Sequence, residues 1–371
     1  MNKKLGLGAV ESPDWYAAQE EFWKNNWTDG LPVIPATEQR VTEFLDYVRL
    51  EPDVVIGEVA ERDASINAEM IAVNAVMAGC LPEYMPILIA AVKAVTDHEF
   101  HFNHLASMGS PWPLLIVNGP ITKQLKMNSG LYVLGPGNRP NATIGRAMSL
   151  IMWNSMDAKP GGILRGCMGH PGRWAFCIAE NEDTPWEPVH VLQGFDRNTS
   201  TVTAFPSSDG GRRMGTYYRE PKAALDAVGY NVAACEMVRG VFCVLVNPYL
   251  AEQVFAKEGW TKKAAQDYLV ENCRMSVRDL KTISRWGWWG DYVAKDPPPV
   301  QPGDEDHYIY QFRDPPGQEK YTDLVFPSTM NERRRGVMLV VAGGNASNLL
   351  YILRPYTVSA NPVTQAIEIP K

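Results

Sequence analysis

The side chains best placed to do chemistry in this chain of 371 residues gather in one segment, residues 160–187, PGGILRGCMGHPGRWAFCIAENEDTPWE. Its five glycines allow the backbone to approach a ligand closely and to adopt conformations that other residues resist. Cys167 and His170 stand three apart, a spacing that admits a thiolate–imidazolium pair, since a neighbouring cation lowers a thiol pKa. The alternative is a glycine-rich surface loop in which the two merely lie near each other. Glu180 and Glu182 stand two apart at the end of an apolar run and so point to the same side. Such a pair can share a proton, bind a metal or hold an amine; the alternative is a solvated turn. Cys177 alternates with Trp174 and Phe176 and reads as packed rather than reactive.

Other candidates lie outside this segment. Asn74 falls in a buried helical pattern and needs partners, either as a helix–helix polar bridge or as a pocket wall. Cys80 sits between two helices, where the amino end of the second could lower its pKa; a structural role competes with that reading. Arg139 and Arg146 flank Asn141 at the start of a helix, an arrangement suited to clamping a carboxylate or phosphate. His98, His101 and His104 form HxxHxxH, but a continuing helix would spread them over too wide an arc for one ion. Neither a P-loop nor a GxGxxG after a strand occurs, so standard nucleotide binding has no support. Trp286-Gly-Trp-Trp-Gly290 fits either a pocket wall or an oligomer contact.

These groups need a scaffold. Hydrophobic spacing predicts helices over 14–27, 37–49, 65–79 with Ser65 as cap, 83–96, 142–153 with Asn141 as cap, 220–235, 249–258 and 261–274 with Thr261 as cap. Short apolar strands are expected at 114–120, 174–179, 189–192, 201–205, 241–246 and 337–344. Three of them end alike: LIVNGP, VLVNP and LVVAGG. Continuously apolar strands followed by helices mark a sheet covered on both faces, with ligands at the strands' carboxyl ends. The expected fold class is therefore α/β, a sheet of short buried strands covered by helices, with a helical N-terminal part (1–110) joined to an α/β part (111–371), either as two parts or as one continuous domain. The loop-rich stretch 284–320 reads as a lid or an interface arm.

Composition narrows the function classes. Hydrophobic residues make up 45% and charged residues 21%, as in ordinary globular chains, and a net charge of −7 argues against nucleic-acid binding. Arg333-Arg334-Arg335 is the one basic cluster and reads as a solvated turn. No apolar run is long enough for a membrane span, and the N-terminus lacks a secretory h-region. The six cysteines are scattered without a CxxC, as in a reduced, cytoplasmic protein.

Several long motifs carry a resemblance: DGLPVIP (29–35), AVNAVMAGCLPEYMPILIAAVKA (72–94), IVNGP (116–120), NATIGRA (141–147), CIAENEDTPWEP (177–188), EGWTKKAAQDYLVENCR (258–274) and VVAGG (340–344). Together they resemble a bacterial family grouped with the UGSC-motif (seleno)proteins, although no Cys-Gly-Ser-Cys occurs here. The resemblance implies a cytoplasmic catabolic or redox enzyme, assembled with a small thiol- or selenol-bearing partner. It singles out Asn74, Cys80, Glu83, Asn118, Asn141, Arg146, His170, Cys177, Glu180, Glu182 and Trp186.

The resulting expectation is a cofactor-independent, homo-oligomeric enzyme acting on a small polar, anionic substrate. Cys80 or Cys167 would supply a thiolate, His170, Glu180 and Glu182 the acid–base groups. Asn74, Glu83, Asn118, Arg139, Asn141, Arg146 and Trp186 would bind substrate. The alternatives are a non-catalytic subunit for a small thiol- or selenol-bearing partner, and a metal-dependent hydrolase or lyase using His98/His101 or His170 with the glutamates.

Overall fold

The computed structural model describes residues 5–105, 109–215, 218–234, 240–283, 302–303, 305, 308–312, 336–345, 348–356 and 360–370. The expectations for 284–301, for 313–320, for the Trp286–Gly290 motif, for Arg333–Arg335 and for Cys235 fall outside those residues.

The N-terminal part opens with α1 (Trp15–Lys24), capped by Asp14, and α2 (Glu38–Val48), capped by Thr37. A hairpin of β1 (Val55–Val59) and β2 (Ala64–Asn67) follows. Ser65, the expected helix cap, instead pairs with Glu58 in that hairpin, and the cap of α3 (Ala68–Ala78) is Asn67, whose side chain accepts from Met70 N. Helices α3 and α4 (Met85–Thr96) are buried on nearly every side, as their almost unbroken apolar character requires.

The middle of the chain runs through β3 (Trp112–Asn118), α5 (Pro120–Gln124), α6 (Arg139–Ser155), β4 (Cys177–Ala179), α7 (Val189–Leu192), β5 (Thr201–Ser207) and β6 (Arg212–Gly215). The start of α6 is set by Asn138, which accepts from Asn141 N, so Asn141 is the helix's third residue and not its cap. Residues 189–192, expected as a strand, form one helical turn because Pro188 starts it and the Glu180 carboxylate takes its first N–H.

The last part comprises α8 (Pro221–Ala233), β7 (Val241–Val246), α9 (Lys262–Asn272), β8 (Arg274–Ser276), α10 (Val277–Thr282), β9 (Tyr308–Tyr310), β10 (Gly336–Val341), β11 (Leu349–Leu353) and β12 (Val363–Ala366). The segment after β7 winds as a π-helix, Leu250–Phe255, and then a 3-10 turn ending at Gly259. Thr261 caps α9 as its sequence predicts, accepting from Ala264 N.

Two four-stranded sheets form the centre, in the orders β12-β5-β3-β4 and β6-β11-β7-β10. They share one topology. In the first, β3 runs parallel to β4 and antiparallel to β5, and β5 is antiparallel to β12. In the second, β7 runs parallel to β10 and antiparallel to β11, and β11 is antiparallel to β6. Among the described residues, β3, β4 and β5 stay together in the first sheet while β6 joins the second, and β7, β10 and β11 stay together in the second while β12 joins the first. The register equates Val117 with Val246 and Ala179 with Val341, so Asn118 matches Asn247, while Glu180 and Glu182 match Ala342 and Gly344. The shared strand ending LIVN and VLVN is the sequence trace of this repeat.

Both faces of the second sheet are covered. Cys243, Leu245, Met338 and Val340 face one core, which also takes in α3, α4, α6 and the first sheet; Phe242, Val244, Val337 and Leu339 face another built on α8, α9 and the π-helix. The first core includes residues from Val33 to Ile367, so the N-terminal helices and both sheets share it. No helix among the described residues is long and apolar enough to cross a membrane.

Candidate functional site

The carboxyl ends of β3, β4, β10 and β7 converge where the two sheets meet. Asn181 N donates to Val341 O (2.7 Å), and Ala342 N donates to Val246 O (3.0 Å). Glu180 follows β4 directly and reaches into this junction. Its Oε1 accepts from Lys262 Nζ (2.5 Å) and Val341 N (3.2 Å), and its Oε2 from Asn118 Nδ2 (2.6 Å) and Val189 N (2.8 Å). Four donors thus hold one carboxylate, and both members of the Glu180–Lys262 pair are only 1% exposed. A buried carboxylate is tolerated when paired and fully hydrogen-bonded, as here. Lys262 opens α9, at the helix end that disfavours a cation, so the local sequence gains nothing from a lysine there; its partner is tertiary.

Glu182 stands beside it in a different state. Its Oε1 accepts from Gly119 N (2.6 Å) and Asn118 Nδ2 (3.0 Å), so the Asn118 amide bridges both glutamates. Gly119 is required at this point: its φ is +86°, and a Cβ would fall 2.5 Å from Thr199 O. The Glu182 side chain remains 15% exposed, and its Oε1 lies 3.9 Å from Nδ1 of the fully buried His190. His190 Nε2 lies 3.3 Å from Arg197 O. A carbonyl only accepts, so Nε2 carries hydrogen, and Nδ1 is the ring atom turned towards Glu182. Asn118 Oδ1, His190 Nδ1, Thr184 Oγ1 and Thr201 Oγ1 are buried without a hydrogen-bond partner near this point.

His170 and Cys167 lie elsewhere. The turn Pro171–Arg173 packs on β3, and Arg173 lies over the Trp112 ring at 4.3 Å, at the amino end of that strand. The strand to Asn118 spans roughly 20 Å at ~3.3 Å per residue. The expectation that His170 and Cys167 work with Glu180 and Glu182 in one centre is therefore corrected: segment 160–187 crosses the sheet from one end to the other. His170 is buried, and burial lowers its pKa to about 4, against an upward pull from the Asp209 backbone. Its Nδ1 accepts from Gly172 N (2.9 Å). Cys167 is exposed.

The other expected site residues serve the fold. Burial raises the Cys80 thiol to about 12, so it is no thiolate at neutral pH. Cys177 and Cys243 are likewise pushed up by burial. Arg139 donates from Nε and Nη2 to Gly79 O, tying down the end of α3. Arg146 grips Asp29 with Nε–Oδ2 at 3.0 Å and Nη2–Oδ1 at 2.9 Å. Burial pushes the Asp29 carboxyl up, but the hydrogen bond and charge of Arg146 outweigh it and hold the pKa below its ordinary value. Both arginines are thus engaged, which corrects the substrate-clamp reading. Asn141 bonds the backbone of Asn128 through both ends of its amide. Asn74 accepts from Asn154 Nδ2 (2.7 Å) and donates to Met70 O, a polar bridge between α3 and α6. Trp186 is buried against Phe255 with its indole N–H on Trp260 O, a core residue rather than a pocket wall. Glu83 sits on the 3-10 turn between α3 and α4.

His98 is exposed beside Asp97 and Glu99 on a 3-10 turn, and His101 ends that turn with φ +52°, so no continuing helix aligns them. Among the described residues, no three His, Cys, Asp or Glu side chains gather as a metal-ligand set. A groove of about 410 Å³ runs along Leu50, Val55, Pro86, Ile89 and Ile369, but it contains none of these polar groups. Lys262 and His190 were missed by sequence reasoning. Lys262 has the look of an ordinary solvated helix start, and His190 of a lone apolar-flanked histidine.

No protein-family model matches the sequence, and no curated protein matches it significantly.

Proposed function

We propose that the chain is an enzyme acting on a small polar molecule by carboxylate–histidine acid–base chemistry at the junction of the two sheets. The observation that carries this reading is the contrast between two glutamates on one asparagine. Glu180 is neutralised by Lys262 and saturated with donors, so it anchors the site. Glu182 is partly exposed and lies 3.9 Å from Nδ1 of the buried His190, so it is the group placed to take or give a proton. Asn118 fixes the pair, and the Gly119 N–H sets the reacting carboxylate. A thiolate mechanism loses Cys80 to burial; among the described residues Cys167 is the exposed thiol that keeps it testable.

The experiment is incubation of the purified chain with a mixture of small polar metabolites, followed by untargeted mass spectrometry. Time-dependent loss of a compound with wild type, and its retention with Glu182→Gln, is the expected result. Equal loss with both proteins would contradict the reading.

A second reading, a non-catalytic subunit for a small protein partner, is favoured by one observation. Trp15, Tyr16 and Trp23 on α1 are unusually exposed for large rings. Turnover that arises only after a partner is added, and that survives Glu182→Gln, would support that reading instead.

A further inference from the structure

We propose a separate oxyanion-binding site at the amino end of β3, built from Arg173 and Ser110, whose ligand is a small carboxylate or a phosphate presenting two oxygens to one guanidinium edge. It is independent of the acid–base reading of the strands' carboxyl ends.

Arg173 carries the argument. Its Nε and Nη2 are buried and bond to nothing, while one face of the guanidinium is covered by Trp112 at 4.3 Å. These two nitrogens form the side-on edge that grips carboxylates. Arg146 uses the same edge on Asp29, and Arg139 uses it on Gly79 O. In Arg173 that edge is set out of water without a counter-charge, an arrangement that is unfavourable unless an anion completes it. Burial alone lowers its pKa to about 10.

The surroundings supply a further donor. His170 caps the same turn and is 6% exposed; its Nδ1 accepts from Gly172 and the ring also engages the Asp209 backbone, so it frames the site and is not counted among the ligand's donors. Ser110, two residues before Trp112, is 2% exposed with an unpartnered Oγ. Gly166 lets the loop close over it, since a Cβ there would overlap Ser110 Oγ. Asp209, the nearby carboxylate, is occupied by Arg354 Nε (2.6 Å) and Gly211 N (2.9 Å), so it does not fill the role. A buried guanidinium edge and a hydroxyl, with no acceptor committed to them, select an anion.

The test is isothermal titration of the full chain with acetate and, separately, with inorganic phosphate in low-chloride zwitterionic buffer. Wild type is expected to bind at least one of them at a single site. Arg173→Met and Ser110→Ala should each weaken binding roughly tenfold or more, the loss that one or two charge-assisted bonds imply. Arg278→Gln, which removes an exposed cation, should leave affinity unchanged. If Arg173→Met fails to fold, Ser110→Ala decides alone. No binding of either anion to wild type, or equal affinity in wild type and Ser110→Ala, would overturn the proposal. Binding of acetate alone identifies a carboxylate site; binding of phosphate with equal or greater affinity identifies a phosphate site.

Discussion

Glu180 and Lys262, 82 residues apart in sequence, meet at 2.5 Å with both side chains excluded from solvent, and this one ion pair ties the end of β4 to the start of α9. It joins the element that carries the glutamates to the helix layer of the second sheet. Removing either partner alone strands a buried charge, so Lys262→Met or Glu180→Leu should each cost about 3–5 kcal/mol of stability. The double variant should recover a large part of that loss. Urea unfolding followed by circular dichroism measures all three, and additive losses would show that the pair is not coupled.

A pH effect on stability follows from His170. Its pKa is lowered on folding to about 4 from an ordinary 6.5, chiefly by burial, with Arg173 adding to the effect and Asp209 opposing it. Below pH 6.5 the unfolded chain takes up a proton that the folded chain refuses until about pH 4. The stability contributed by the neutral ring is therefore full above pH 6.5 and lost between pH 6.5 and 4, on the order of 3 kcal/mol in all. Denaturant midpoints across that window should fall in wild type and flatten in His170→Gln.

Thiol reactivity should divide the cysteines by burial. Cys167 is exposed and should alkylate in the native protein, whereas Cys80, Cys177, Cys243 and Cys273 are buried and should react only on unfolding. Peptide mass spectrometry after timed iodoacetamide labelling reads this directly. Rapid native labelling of Cys80 at neutral pH would contradict its assignment as a packed thiol.

Arg146 predicts a split between stability and turnover. Its bidentate hold on Asp29 joins α6 to the segment after α1, so Arg146→Ala should lower stability by about 1–3 kcal/mol. The Michaelis constant for any compound the chain consumes should stay the same, because the guanidinium is not available to substrate.

Much of this scaffold was legible in the sequence. The apolar runs of α3, α4, β3, β7 and β10 announce themselves, whereas the shared Val-Asn strand ending is too short a trace to reveal the two matching sheets. Local chemistry misled where tertiary partners decide: Ser65 is a good cap residue used in a hairpin, and Val189–Leu192 reads as a strand until Glu180 takes its first N–H. Of the site, Asn118, Glu180 and Glu182 were readable because they sit at strand ends. Lys262 and His190 were not, since only packing brings them there. Cys167 and His170 seemed to belong with the glutamates because they share a segment, and β3 keeps them apart.

The most direct test of the acid–base account compares Glu182→Gln with Cys167→Ser on a compound that wild type consumes. Loss of a general acid or base lowers kcat by roughly 100-fold or more. The account predicts such a fall for Glu182→Gln and an unchanged rate for Cys167→Ser. Full activity in Glu182→Gln, with activity abolished in Cys167→Ser, would contradict it and return the chemistry to the thiol.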